Sequence, residues 1–319
     1  MPISTRLTKE LNIRAPIVVA PMAGISGGAL AYAVGRAGGF GFVAAGYLTP
    51  EKVLRELALA SGARHGVGFI TWRVLQDPAA FEAVLERKPE AVFLSFGDAG
   101  PLVSKVRKAG ALLFMQVQSL AAAREAASLG ADVIVAQGSE AGGHGASRAL
   151  GPLVDEVVNA NLGPIIIAAG GISNGRGLAA NLVRGASGAL IGTAFYPARE
   201  SLAHSAAKQR ALAVCGDETE RTNLFDAARG LNWPDGWTLR VASNVFSKRW
   251  RDAEGFASAN SSERANFADA ASVGDFDIAP VIVGEGVGLV ERIETAADII
   301  SRIEREAEDA LRDAPQLLR

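Results

Sequence analysis

The chain has 319 residues and balances 32 lysines and arginines against 34 aspartates and glutamates, a formal charge of −2. With no Lys/Arg cluster, that balance excludes the electrostatic footprint of a nucleic-acid binder. Apolar residues at 49% and 36 glycines suit a buried α/β core rich in tight turns, and the lone Cys215 excludes an intrachain disulfide framework and fits a reducing compartment.

Residues 1–10 contain no apolar signal-peptide core, and the longest apolar runs, such as residues 165–169, are too short to span a bilayer. A soluble, cytoplasmic protein is expected. From residue 15 to about 200, short β-branched runs alternate with alanine-rich stretches. Strands are predicted at residues 17–20, 40–45, 66–70, 91–96, 112–117, 133–136, 165–169 and 189–191. Helices are predicted over stretches such as 27–37, 50–60, 78–87, 120–128 and 175–184. Short, continuously apolar strands are what a parallel sheet covered on both faces requires. Eight of them, each followed by a helix, predict an α/β fold, a closed (β/α)8 TIM barrel, with a doubly wound open sheet as the competitor. The count and the glycine-rich segments after several strands favour the barrel, whose ligand-binding loops gather at those ends.

Residues from about 200 to 277 break the alternation. Trp233, Trp237, Phe246, Trp250 and Phe256 punctuate a polar stretch there. It reads as a cap, residues 201–277, inserted before the last helix of a barrel made of residues 1–200 and 278–319. The final helix, 295–312, interleaves glutamates and arginines as a solvated face does.

Chemistry concentrates at five strand ends. Ala20-Pro21-Met22 turns the chain rigidly after the first strand, and Met22 offers a polarisable side chain to a flat ring or to ordinary packing. Gln116 and Gln137 end two further strands and can donate and accept, either toward a ring edge or as helix caps. After Gln137 comes Gly-Ser-Glu-Ala-Gly142-Gly143-His144-Gly, which sets one of three histidines behind a glycine pair. That arrangement admits a ligand close to the backbone and puts a group titrating near neutrality beside it. Glu140 could orient His144 or lie at the surface. His65 and His204 read as histidines bonding nearby backbone, and Asp132 as structural.

Gly170-Gly171, followed by the helix start at Asn174, and Gly192-Thr193 form two more strand-to-glycine turns. By count these follow the seventh and eighth barrel strands, where loops of barrels commonly hold phosphate, with the helix dipole behind the site. The glycines could alternatively serve tight turns alone. No cluster has metal-ligand spacing, so no metal is expected.

The segments Ala20–Met22, residues 37–43, residues 66–69, Gln137–His144 and residues 168–177 resemble nitronate monooxygenases, formerly called 2-nitropropane dioxygenases. The resemblance covers residues 10 to 200 and continues weakly through 217–221 and 233–244. It implies a TIM barrel with non-covalent FMN and a histidine that acts as base or positions the nitro group, here His144. It places FMN contacts on Ala20, Pro21, Met22, Gln137, Gly142, Gly143, Gly170, Gly171, Gly192 and Thr193, with Gln116 beside them. Two positions depart from many members: Gly68 stands for an asparagine and Gln116 for a lysine. The third-strand motif is closer to the fungal type. The implied activity is oxidation of alkyl nitronates by FMN and O2 to a carbonyl compound and nitrite, with a small-molecule substrate and neither nucleic acid nor membrane as partner. Flavin-dependent enoyl-acyl-carrier-protein reduction, NAD(P)H:quinone reduction and a non-catalytic flavin- or phosphate-binding module are the alternatives. Cap tryptophans and Phe69 suggest an apolar pocket; oligomeric state stays open.

Overall fold

The computed structural model describes residues 3–318. Parallel strands run in chain order as β1 (Ile17–Val19), β2 (Gly41–Ala44), β3 (His65–Ile70), β4 (Ala91–Ser95), β5 (Leu112–Val117) and β6 (Val133–Gln137). They continue as β8 (Ile165–Ala169) and β9 (Ala189–Ile191), after a short β7 (Gly143–Gly145) that lies outside the barrel. Each barrel strand pairs in parallel with its neighbour, β9 pairs with β1, and a bridge between Val18 and Phe40 closes the ring. This is a TIM barrel.

Side-chain alternation along each strand sorts the core into two layers. Val18, Phe40, Phe42, Phe93, Phe114, Val135 and Ile167 point inward and fill the barrel, with Phe42 5.3 Å from Phe93 and 5.1 Å from Phe114, ring centre to ring centre. Leu7 and Leu11 of the helix Arg6–Leu11 join this cluster. Ile17, Val67, Leu94, Leu113, Ile134 and Ile166 point outward into the contact with the helices. The inward parity carries past the phenylalanines, so Gln116 and Gln137 lie in the last inward layer, at the C-terminal mouth.

The last helix, Ala296–Asp313, packs against the helices Gly175–Val183 and Gly28–Arg36. Its charged pattern coexists with a buried stripe of Ile299, Ile300, Ile303 and Ala307, so only one face is solvated. Glu306 reaches across to accept from the Gly175 N–H at 2.8 Å.

Residues 201–277 hold β10 (Thr219–Thr222), β11 (Thr238–Ala242) and several helices around their own core of Phe225, Leu239, Phe246, Phe256 and Phe267. β10, β11 and β7 form a three-stranded antiparallel sheet. No strand is predicted at residues 143–145; in the fold they pair with β11, which sets His144 opposite Leu239. No helix is long and apolar enough to cross a membrane among the described residues.

Candidate active site

Gln137 joins the barrel mouth to the histidine segment. Its Oε1 accepts from Gln116 Nε2 at 3.1 Å and Gln118 Nε2 at 2.9 Å, while its Nε2 donates to the His144 carbonyl at 3.0 Å. Two arginines fix the loop between them. Arg221 donates to the carbonyls of Ser139, Ala141, Gly145 and Thr238, and Arg240 donates to Ser139. Burial pushes Arg221 down to about 10, which still leaves it charged at neutral pH.

Glu140 does not orient His144: both of its carboxylate oxygens accept from the Leu150 N–H, capping the helix Leu150–Asn159. The partner is Asp226, from the cap helix Leu224–Ala228, whose Oδ2 lies 2.8 Å from His144 Nε2. The two side chains are only 9% and 5% exposed. Asp226 Oδ1 is held in turn by Arg229 at 2.8 Å. Trp233 stacks on the imidazole with centroids 3.3 Å apart and planes 10° from parallel, and its Nε1 donates to the Tyr47 hydroxyl at 3.0 Å. Phe96, Trp72 and Trp237 surround that indole. Burial holds the His144 pKa below its ordinary value, against the opposing pull of Asp226.

The other cap tryptophan, Trp250, packs on Phe246 and Phe256 inside the cap. Phe69 points outward onto Phe81, so neither joins this aromatic wall.

The phosphate candidates form the adjoining rim. Gly170 and Gly171 have φ of +118° and +66°, which the absence of a Cβ permits. Among the described residues, the N–H groups of Gly171, Gly192 and Thr193 meet no acceptor, and β8 and β9 are hydrogen-bonded neighbours. The Ser173 hydroxyl beside them is buried without a partner. Unpaired donors at two adjacent strand ends suit a phosphate. The helix dipole contributes less than the sequence suggested. The N-terminus of Gly175–Val183 already receives the Glu306 carboxylate at Gly175 and the Asn174 side chain at Gly177.

The remaining candidates close the ring. A Cβ on Gly192 would lie 3.3 Å from the Met22 sulfur and 3.6 Å from Ala20 Cβ, so these three meet at the mouth. Gly142 and Gly143 flank His144, with Gly142 packed on Val283 and Gly284. Thr193 Oγ1 accepts from the Gly284 N–H at 2.9 Å. A Cβ on Gly68 would meet the Pro21 ring at 2.3 Å, so a larger residue there would require Pro21 to shift.

His65 Nδ1 lies 2.8 Å from the Ala63 carbonyl, and His204 caps its own helix through the Ala206 N–H. Asp132 bonds Leu113 N–H and Arg107.

A closed parallel barrel with unpaired donors at its strand ends and a carboxylate-paired histidine at its mouth defines a candidate active site at the C-terminal face of a TIM barrel. The nitronate monooxygenase profile matches residues 4–66 and 71–306, and the chain belongs to that family, whose members are typically flavin-dependent. A nitronate monooxygenase of Metarhizium robertsii is 34% identical over 94% of this chain and 92% of its own length. FabK from Thermotoga maritima superposes with a TM-score of 0.86 at 26% identity, covering 99% of this chain and all of that one. A (3aS,4S,5R,7aS)-5-hydroxy-7a-methyl-1-oxo-octahydro-1H-indene-4-carboxyl-CoA dehydrogenase of Mycobacterium tuberculosis is 30% identical over 71% of this chain and 65% of its own. Family membership therefore leaves the substrate unfixed.

Proposed function

We propose that the protein oxidises alkyl nitronates, and the nitroalkanes that yield them, with FMN and dioxygen, giving a carbonyl compound and nitrite. The carrying observation is the imidazole of His144, buried at the barrel mouth, paired with a carboxylate and walled by aromatic rings. The relatives named nitronate monooxygenase support the same reading.

FMN, when bound, supplies the electron transfer between organic substrate and O2. The chain supplies the rest. Gly171, Gly192 and Thr193 offer N–H donors to the phosphate, joined by the turn glycines Gly142, Gly143 and Gly170. Gln116 and Gln137, in the last inward layer of the mouth, would serve the edge of the ring, and Ala20, Pro21 and Met22 would supply packing for its face. A neutral Gln116 contributes no positive charge to that edge, unlike a lysine.

Because burial lowers its pKa, His144 is neutral at pH 7 and can accept the α-proton of a neutral nitroalkane. That favours the base over an imidazolium that binds the nitronate anion. Residues 201–277 act as the cap that excludes water from the transfer, and the cytoplasm is the compartment that suits the exposed thiol of Cys215.

The test is anaerobic mixing of the flavin-loaded protein with a nitronate and, separately, with NADPH and NADH. Bleaching by the nitronate is expected. Bleaching by a reduced nicotinamide alone would replace this reading with a reductase acting on an enone or quinone. Failure to bind any flavin would remove both.

A further inference from the structure

We infer that Asp226 is the positioning residue of this site: it engages the Nε2–H of His144 and thereby leaves Nδ1 as the atom that takes the substrate's proton. The inference rests on the reading of His144 as a base.

A neutral imidazole carries one N–H and one lone pair, and an ionised carboxylate only accepts. The 2.8 Å contact between Nε2 and Asp226 Oδ2 therefore puts the hydrogen on Nε2. Among the described residues Nδ1 has no partner, so its lone pair is the basic site. Neither partner is free to turn. The carboxylate is held on its other oxygen by Arg229, whose Nε bonds the Phe225 carbonyl at 3.0 Å, and the Asp226 carbonyl accepts from Leu231 N–H at 2.8 Å. The ring plane is fixed by the Trp233 stack, itself tied to Tyr47. The His144 backbone is fixed by β11 and by Gln137.

The step balances without any oxidant. The substrate's α-C–H bond breaks, its electron pair stays on the organic fragment as the nitronate, and an Nδ1–H bond forms. The product is an imidazolium beside the Asp226 carboxylate, a charge pair largely shielded from water, and the proton later passes to solvent through the exposed part of the ring. The charged groups facing the imidazole are Asp226 and Arg229 from the cap helix and Arg221 from β10. Asp226 alone among them favours the cation.

Imidazole 15N NMR of the histidine-labelled protein reads the tautomer directly, with the His144 signals assigned by their loss in H144N. The expected wild-type state near pH 7 has Nε2 protonated and Nδ1 bare. In D226N the His144 pKa should fall and the acid limb of nitroalkane turnover should move to lower pH. Its kcat should drop about 10²-fold, with KM nearly unchanged, and preformed nitronate should be spared. An Nδ1-protonated wild type, or a D226N protein with unchanged histidine pKa and pH profile, overturns the inference. The wild-type tautomer needs no variant, so a D226N protein that fails to fold leaves the test standing. If the tautomer is as expected but nitroalkanes are not turned over, the functional reading falls and the Asp226 geometry remains.

Discussion

The two halves of the barrel mouth are built from different materials. Along the rim after β8 and β9, the groups proposed to hold the phosphate are backbone N–H groups, at the left-handed Gly171 and at the start of a short turn, Gly192 and Thr193. At the corner beside β7, the groups proposed for the chemistry are side chains gathered from distant parts of the chain: His144, Asp226 and Trp233, with Tyr47 and Phe96 behind them. A backbone site depends on chain conformation and tolerates side-chain exchange. A side-chain site depends on identities, one atom at a time. Substitutions at the rim should therefore act on cofactor retention, and substitutions at the corner on chemistry.

The largest effect should come from His144→Asn, which keeps polarity and approximate size but cannot take a proton near pH 7. Turnover of neutral nitroalkane should fall about 10²- to 10⁴-fold, the scale of losing a general base. Preformed nitronate should suffer much less, because its proton has already gone. FMN should stay bound, since none of the rim donors belongs to the imidazole. Steady-state kinetics on both substrates, with flavin absorbance as the retention measure, would break the division between rim and corner if the mutant lost its cofactor.

At the rim, Gly171→Asp and Gly171→Asn form a matched pair. Both side chains accept the left-handed conformation better than most, and both meet Glu140 Cβ, 3.1 Å from where a new Cβ would sit. They differ in charge. Asp should cost FMN binding about 2 kcal/mol more than Asn, roughly thirtyfold in Kd, through repulsion of the phosphate across a partly solvated gap. Equal affinities by fluorescence titration would place the phosphate elsewhere.

The same division governed what could be read from the sequence. Barrel strands announce themselves as continuous apolar runs, and a turn glycine with positive φ is a local requirement, so the fold and the turn at Gly170 and Gly171 were legible, while Gly192, at φ −106°, showed only as a glycine after a strand. His144 was legible because glycines surround it. Its partner was not: Asp226 lies 82 residues away, and a lone aspartate in a polar stretch carries no pattern. Glu306 was equally silent, capping Gly175 from 131 residues downstream, so the helix dipole read as free to bind phosphate. The sheet of β7, β10 and β11 escaped because its strands are short and one is Gly-His-Gly, too few residues for a period of two to show.

Trp233→Ala sharpens the corner by removing the stack without touching the imidazole's hydrogen bonds. Burial keeps the His144 pKa below its ordinary value, so wild-type nitroalkane activity should rise with pH through that depressed value and stay flat above it. Stability follows the same sign. The imidazole is neutral in the fold, its contribution is complete above the unfolded pKa of about 6.5, and it is lost as pH falls through the folded value. Opening the ring face to water should move the acid limb to higher pH, toward the ordinary value, and reduce kcat/KM about tenfold through lost alignment and shielding. A limb that does not move would show that Trp233 is not what desolvates the ring.

The smallest effect is expected for Thr193→Val, and it probes whether the rim is truly a backbone device. Valine keeps the shape but cannot accept, so the Gly284 N–H loses its 2.9 Å partner while the N–H of residue 193 stays in place. One unpaired, partly buried donor costs about 1 kcal/mol, a fall of roughly 1–2 °C in melting temperature for a chain of this size. If the phosphate is held by N–H groups, FMN affinity should change by less than about threefold, well short of the change at Gly171→Asp. A loss of affinity as large as that caused by Asp would mean that the Thr193 hydroxyl itself grips the ligand. The rim would then belong with the corner, as a site made of side chains.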